Sequence, residues 1–179
     1  MLLTFTLGTH LFAEIPSSIG QNTISVGTGF PSIFNGGIQV FYPATKKFGI
    51  GGGLSTQLFL FNQSYIALQF HHSPQFSSSV FAEYGTEILA NNVNHPTLAY
   101  GIGFSKKLPD GILDMGLSFT GNSEFPLGIG TGVKITRNSG FFYSASIIEG
   151  FFPTFIFGFS QKLSDVVTNK KTKSGEIKD

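Results

Sequence analysis

The chain has 179 residues, which is enough for one folded domain and short for two. Hydrophobic residues make up 41% of it and charged residues 12%, about half the share usual in a soluble domain, so the composition excludes a disordered chain and disfavours a highly charged surface. With no cysteine and a net charge of +1, it also excludes disulfides and zinc–thiolate sites and gives no reason to expect a nucleic-acid partner.

The N-terminal segment, residues 1–13, is predicted to be the remainder of a signal peptide. Its sequence, MLLTFTLGTHLFA, has an apolar run as long as a signal-peptide h-region, and Ala13 stands at a plausible cleavage position before Glu14. A basic n-region is missing, so an ordinary apolar first strand is the alternative. We therefore expect export, a β-barrel over residues 14–163, and a polar, disordered tail over residues 164–179.

Strict alternation of apolar and small polar residues, the period of a half-buried strand, dominates the region that follows. Turn-forming residues interrupt this alternation at regular places. Most of the resulting strands exceed the average globular strand of about 5–6 residues and suit the ~9–11 residues that cross a bilayer at a tilt. The predicted strands are 22–30, 37–43, 47–60, 64–72, 75–89, 97–108, 111–121, 125–137, 140–149 and 152–163.

The two faces of these strands differ in kind. One face carries Leu, Ile, Val, Phe and Tyr, and the other carries Gly, Ser, Thr and Gln with few charges, whereas the outer face of a soluble β-sandwich carries Lys and Glu. No run is apolar enough for a transmembrane helix, and a closed barrel is the other structure that satisfies its backbone in lipid. The predicted lipid-facing residues are Ile50, Leu54, Leu98, Tyr100, Ile102, Phe104, Leu117, Phe119, Ile129, Val133, Phe155 and Phe157.

The polar face is predicted to point into the lumen. Its candidate polar residues are Gln57, Glu83, Glu87, Asp114 and Lys134. They either line a narrow polar path or pair across a plugged interior, because a buried unpaired charge is costly. A soluble β-sandwich that binds a ligand remains the alternative to the membrane barrel.

An up-and-down arrangement of ten strands places every second turn at the same end. The residues that gather there are mostly basic, and the connections at the opposite end are rich in Asn. Because bacterial outer-membrane barrels have short turns on the periplasmic side, we expect the basic end to face the periplasm. The residues at that end are Lys46, Lys47, Lys106, Lys107, Asp110, Arg137 and Lys162.

Repeated Gly-aromatic hairpins, such as YGIGFSKKLPDGILDMGLSF and LGIGTGVKITRNSGFFYSASI, resemble small bacterial outer-membrane β-barrel proteins of the OmpA, OmpX and porin-like type. The resemblance implies an all-β, up-and-down antiparallel transmembrane barrel of about ten strands, with eight to twelve possible. It also implies an outer-membrane location, contact with outer-membrane lipid, and insertion by the barrel-assembly machinery. The implied role is structural, surface interaction or a minor pore; protein partners stay undefined.

One candidate catalytic group is present. His71 and Ser73 match the His-x-Ser pair of the lipid A deacylases, small barrels of the outer membrane that also have a downstream Glu, here Glu83. That resemblance implies Ser73 as nucleophile, His71 as its base and Glu83 as the residue that orients the base. A polar turn over 71–75 is the simpler interpretation, so a non-enzymatic role is favoured over a lipid-modifying hydrolase.

No metal or cofactor is expected. The candidate ligands would be His71, His72 and His95, but adjacent residues of a strand point to opposite faces and seldom share a metal. The glycine-rich runs 49–55 and 128–132 lack the following helix and the Lys-Ser/Thr pair of a phosphate-binding loop.

Overall fold

The structure, a computed structural model, describes residues 22–30, 34–57, 61–88, 94–121, 128–148 and 153–163. This part of the chain forms ten β-strands, as the alternation predicted, and the ends of predicted and observed strands differ by at most three residues. The strands are β1 (Thr23–Phe30), β2 (Asn35–Pro43), β3 (Phe48–Gln57), β4 (Phe61–Ser73), β5 (Phe76–Ile88), β6 (Asn94–Leu108), β7 (Gly111–Gly121), β8 (Gly128–Arg137), β9 (Phe141–Ile148) and β10 (Thr154–Lys162).

The strands form one closed antiparallel barrel. Each strand pairs with its neighbours in sequence, and β1 also pairs with β10 in a register that sets Thr23 opposite Lys162 and Phe30 opposite Phe155. Closure gives every strand two hydrogen-bonded neighbours, which removes the free edges that make open sheets prone to association. The prediction of an up-and-down barrel of about ten strands is confirmed.

Four short turns lie at one end of the barrel, which we call the short-turn end. They comprise residues 44–47, 74–75, 109–110 and 138–140. In the first, Thr45 Oγ1 accepts hydrogen bonds from the backbone N–H groups of Lys47 and Phe48, at 3.2 and 3.0 Å. In the last, Gly140 has a φ of 94°, a conformation that glycine adopts without steric cost. The connections at the opposite end fall largely outside the described residues.

The segment predicted as a turn over 71–75 is mostly strand. β4 continues to Ser73, with a bulge between His71 and Ser73, and the turn itself is Pro74 and Gln75. A residue before proline favours extended backbone, so β4 can run up to Pro74 and still reverse direction in two residues. The expected short turn therefore exists, but His71 lies in the wall of the barrel.

The interior of the barrel is small and partly polar. Its buried hydrophobic residues are Ala67, Phe81, Ala99, Phe142 and Ile156, and the large aliphatic side chains of the strands lie mostly on the outside. Across the described ranges, no helix is long and apolar enough to cross a membrane. The predicted signal-peptide remnant, residues 1–13, and the tail, residues 164–179, lie outside the described residues.

Candidate functional site: the two faces of the barrel wall

The outer face of the barrel is apolar and almost free of charge. In the described strands, the outward positions carry two charged residues, Lys106 and Arg137, and both lie at the short-turn end. Large hydrophobic side chains at outward positions are exposed to as much as 70%, the value for Tyr42. An exposed apolar surface that encircles a protein is far larger than the patches found on soluble monomers.

The structure places the residues predicted to face lipid on this outer surface. Leu117 is partly covered, and the others are exposed, from 36% for Val133 to 60% for Leu54. The exposed ones are Ile50, Leu54, Leu98, Tyr100, Ile102, Phe104, Phe119, Ile129, Val133, Phe155 and Phe157. Their exposure follows from the parity of each strand, because outward residues recur at every second position.

The inner face holds a set of buried polar side chains, which we call the interior polar layer. None of them is more than 8% exposed. Together with Gly51 of β3 and Phe142 of β9, they give every strand at least one buried inward residue. The layer consists of Ser25, Gln39, Gln69, Ser77, Ser79, Ser105, Asp114, Lys134 and Ser160. Side chains so fully covered leave little room for water to pass along them.

Two predicted lumen-facing charges, Asp114 and Lys134, lie within this layer. They are register partners on β7 and β8 and are 1% and 7% exposed. The Ser105 hydroxyl donates a hydrogen bond to Asp114 Oδ1, and Lys134 Nζ lies 4.8 Å from the centre of the Phe142 ring. The carboxylate and the ammonium group are thus each in contact with another side chain of the interior. Of the two sequence-based interpretations, this arrangement favours pairing across a plugged interior.

Glycines in the wall make room for large inward side chains. Tyr65 lies opposite Gly53, and Phe81 lies opposite Gly101, in the register of neighbouring strands. A Cβ atom added to either glycine would collide with the facing aromatic ring. At these two positions, the inner-face glycines predicted from the sequence are covered by aromatic rings.

Glu83 is buried at 4% exposure on β5, between its register partners Tyr65 and Ala99. Among the described residues, no hydrogen bond or ion pair reaches its carboxylate. The side chains of Gln57 and Glu87, the remaining predicted lumen-facing residues, lie outside the described residues, as does that of His95.

The structure separates the residues of the proposed hydrolytic group. His71 pairs with Ser77 on β5, and Glu83 follows six residues later, about 20 Å away at ~3.3 Å per residue. His71 packs edge-on against Phe41 at 5.6 Å between ring centres, and Ser73 Oγ accepts the Gln75 N–H at 3.2 Å. Glu83 is too far away to orient His71 as a base.

A different histidine, His72, makes the nearest hydroxyl contact. Its Nε2 atom lies 2.7 Å from Ser78 Oγ, and its ring stacks on Phe76 at 5.4 Å. Sequence reasoning did not find this pair, because it depends on the bulge that follows His71. The pair lies at the short-turn end, and among the described residues no carboxylate contacts it. In the described part of the chain, no three His, Asp or Glu side chains converge on a common point that could hold a metal.

Comparison with models of known protein families and with curated protein sequences finds no match for this chain. The class of protein therefore rests on the fold, which is a closed, antiparallel, ten-stranded β-barrel. Its shape is consistent with that of outer-membrane barrels.

Proposed function

We propose that this protein is a bacterial outer-membrane β-barrel that spans the bilayer and has a structural or surface-interaction role. The observation that carries the proposal is the outer face, which is apolar around the barrel and whose charged residues in the described strands, Lys106 and Arg137, lie at one end. In water such a surface would drive association, whereas in a bilayer it is the expected lipid contact.

Strand length supports the same proposal. The strands contain 8 to 15 residues, and the longest, β6, has its charged residues at the short-turn end. A tilted strand needs about 9–11 residues to cross the hydrocarbon core of a bilayer. Insertion of such a barrel into the outer membrane would use the barrel-assembly machinery, and the lipid of that membrane would be its principal partner.

The packed interior favours a structural or surface-interaction role over that of a pore. Gln69, Ser105 and Asp114 are each 1% exposed, and Phe81 and Phe142 are also buried. An open aqueous channel would leave inward polar side chains in contact with water, as in large porins. A minor pore is the less favoured form of the same proposal.

Heat modifiability tests the proposal. The full chain is refolded into detergent or lipid vesicles and run on a gel in SDS with and without boiling. A closed membrane barrel resists unheated SDS, so we expect two bands of different mobility and a β-rich circular dichroism spectrum. A chain that stays soluble and folded in plain buffer, with one mobility, would instead assign the outer face to a water-exposed or self-associating surface.

Planar bilayer recordings separate the packed barrel from the pore. The refolded wild-type chain is expected to give no steady conductance. The double variant Phe81→Ala, Phe142→Ala removes the two buried rings and is expected to raise conductance if the rings block the lumen. Steady, ion-selective conductance from the wild type would assign the protein a pore function.

A further inference from the structure

The cationic side chains of the short-turn end are spread around the barrel. Lys46 and Lys47 lie in the turn between β2 and β3, Lys106 and Lys107 lie just before the end of β6, and Lys162 is the last residue of β10. All five are exposed. They are therefore not gathered in a cleft that would bind one small anion. Because the lysines are spread around one end of the barrel, they can all contact anions at once only if those anions lie in a plane across that end.

These lysines have no recorded ion-pair partner in the described part of the chain. The ion pair found at this end joins Arg137 to Asp110, both exposed. Within the described residues nothing compensates their charge, and solvent ions or an anionic partner can do so. A partner with negative charges at the level of this rim would be electrostatically complementary to it.

A belt of outward aromatic side chains borders the lysines. Phe76, the first residue of β5, is the register partner of Lys106, and its ring stacks on Phe104 at 6.4 Å between centres. Two further ring pairs lie at the same end, Phe48 with Phe70 at 5.7 Å and Phe141 with Phe159 at 5.8 Å. Apolar rings directly below cations define a boundary between hydrocarbon and a polar, anionic layer.

We infer that the short-turn end binds the headgroup phosphates of anionic glycerophospholipids in the leaflet that it faces. This inference rests on the proposed function, since it requires the apolar wall to lie in a bilayer. Short turns face the periplasm in outer-membrane barrels, so that leaflet is the inner one. The aromatic belt sets the depth of the barrel, and the lysines then lie level with the phosphates, each attracted as basic residues are to anionic surfaces.

Because the chain contains no tryptophan, one introduced indole reports on a single place. Tyr143→Trp puts it two residues from the start of β9, at an outward position that is 56% exposed. The matched reference is Tyr84→Trp, also outward and 50% exposed, but eight residues into β5 from Phe76 and so far from the lysines. Each variant is reconstituted in phosphatidylcholine vesicles that contain brominated phosphatidylcholine or brominated phosphatidylglycerol, whose bromines quench the indole.

The expected result is a preference for phosphatidylglycerol of about threefold at position 143 and none at position 84, as charge attraction at a membrane surface requires. In about 0.5 M salt the preference should fall towards one, because the screening length drops to a few ångströms. It should also fall in the variant in which all five lysines, Lys46, Lys47, Lys106, Lys107 and Lys162, are each changed to Gln, because Lys162 lies on β10, the strand next to the reporter at position 143. These side chains are exposed, so that variant should still show the gel shift of a folded barrel.

Equal quenching by both lipids at position 143, or a preference that survives the five Lys→Gln changes, would overturn the inference while leaving the membrane barrel intact. A preference of the same size at position 84 would also overturn it, because no described lysine lies near that position. If neither brominated lipid quenches either indole, the wall is not in the bilayer, and the proposed function fails together with the inference.

Discussion

The two faces of β7 differ as much as surface and core do in a soluble protein, but with the polarity reversed. Met115 and Phe119 point outward and are 44% and 47% exposed, whereas Asp114 and Ser118, one residue before each, are 1% and 0% exposed. Burial of apolar side chains therefore contributes little from within this barrel. In the proposed membrane barrel, stability comes from transfer of the outer face into lipid and from close packing and hydrogen bonding inside.

The largest expected effect tests the outer face. Ile102→Lys places a charge on the outward side of β6 and should lower the free energy of unfolding in vesicles by about 2–4 kcal/mol, if the residue lies near mid-bilayer. Ile24→Lys, one residue inside the short-turn end of β1, is the control and should cost about 0–1 kcal/mol. Urea titration of vesicle-refolded protein measures both. Equal costs at the two positions would mean that the cost of an outward charge does not depend on its depth, and would contradict a bilayer around the outer face.

The second prediction tests the packing of the inner face. Gly101→Ala would drive its Cβ into the Phe81 ring and the backbone oxygen of Leu117, so we expect a loss of about 1–3 kcal/mol in the same titration. Gly36→Ala is the matched control on the outer face, where the nearest atom to the new Cβ is 3.5 Å away, and it should change stability by less than about 0.5 kcal/mol. A neutral Gly101→Ala would show that the interior is loose.

The third prediction compares a buried and an exposed carboxylate. Asp114→Ala removes the buried carboxylate that accepts a hydrogen bond from the Ser105 hydroxyl and should cost about 1–3 kcal/mol. Asp110→Ala breaks an ion pair with Arg137. Because the Asp110 side chain is 68% exposed, this change should cost no more than about 1 kcal/mol. The same unfolding titration measures both variants. If their order is reversed, the interior polar layer is better hydrated than its burial indicates.

The smallest effect concerns a buried hydroxyl. Ser118 Oγ is buried and has no hydrogen-bond partner among the described residues, so Ser118→Ala should leave the unfolding free energy unchanged or raise it by up to about 1 kcal/mol. Ser105→Ala, which removes the donor to Asp114, is the control and should destabilise the barrel. Loss of stability in Ser118→Ala, measured as above, would indicate that this hydroxyl has a partner in solution.

Strand number and facing were predictable because both depend on local sequence. In β8, the residues from Ile129 to Ile135 alternate so regularly that their outward or inward position follows from parity alone. The same parity, counted from Glu83, places Phe81 in the interior, where the structure has it. The run Phe141–Ile148 alternates weakly, which is why the inward position of Phe142 was not anticipated.

The site was less predictable than the fold because its contacts join residues far apart in sequence. The His72–Ser78 pair depends on a bulge, and the distance of Glu83 from His71 depends on the register of β4 with β5. Sequence spacing suggested a catalytic group, whereas the β4–β5 hairpin holds His71 near its turn and Glu83 far from that turn. A motif is informative only when its residues can point to one place.

The sequence by itself determined the number of strands, the apolar outer face and the basic short-turn end, because alternation and turn residues act over a few neighbouring positions. Only the tertiary structure decided that β1 closes on β10, that Tyr65 and Phe81 cover particular glycines, and that Asp114 meets Ser105. These contacts are set by register and by the curvature of a closed wall, to which all ten strands contribute together.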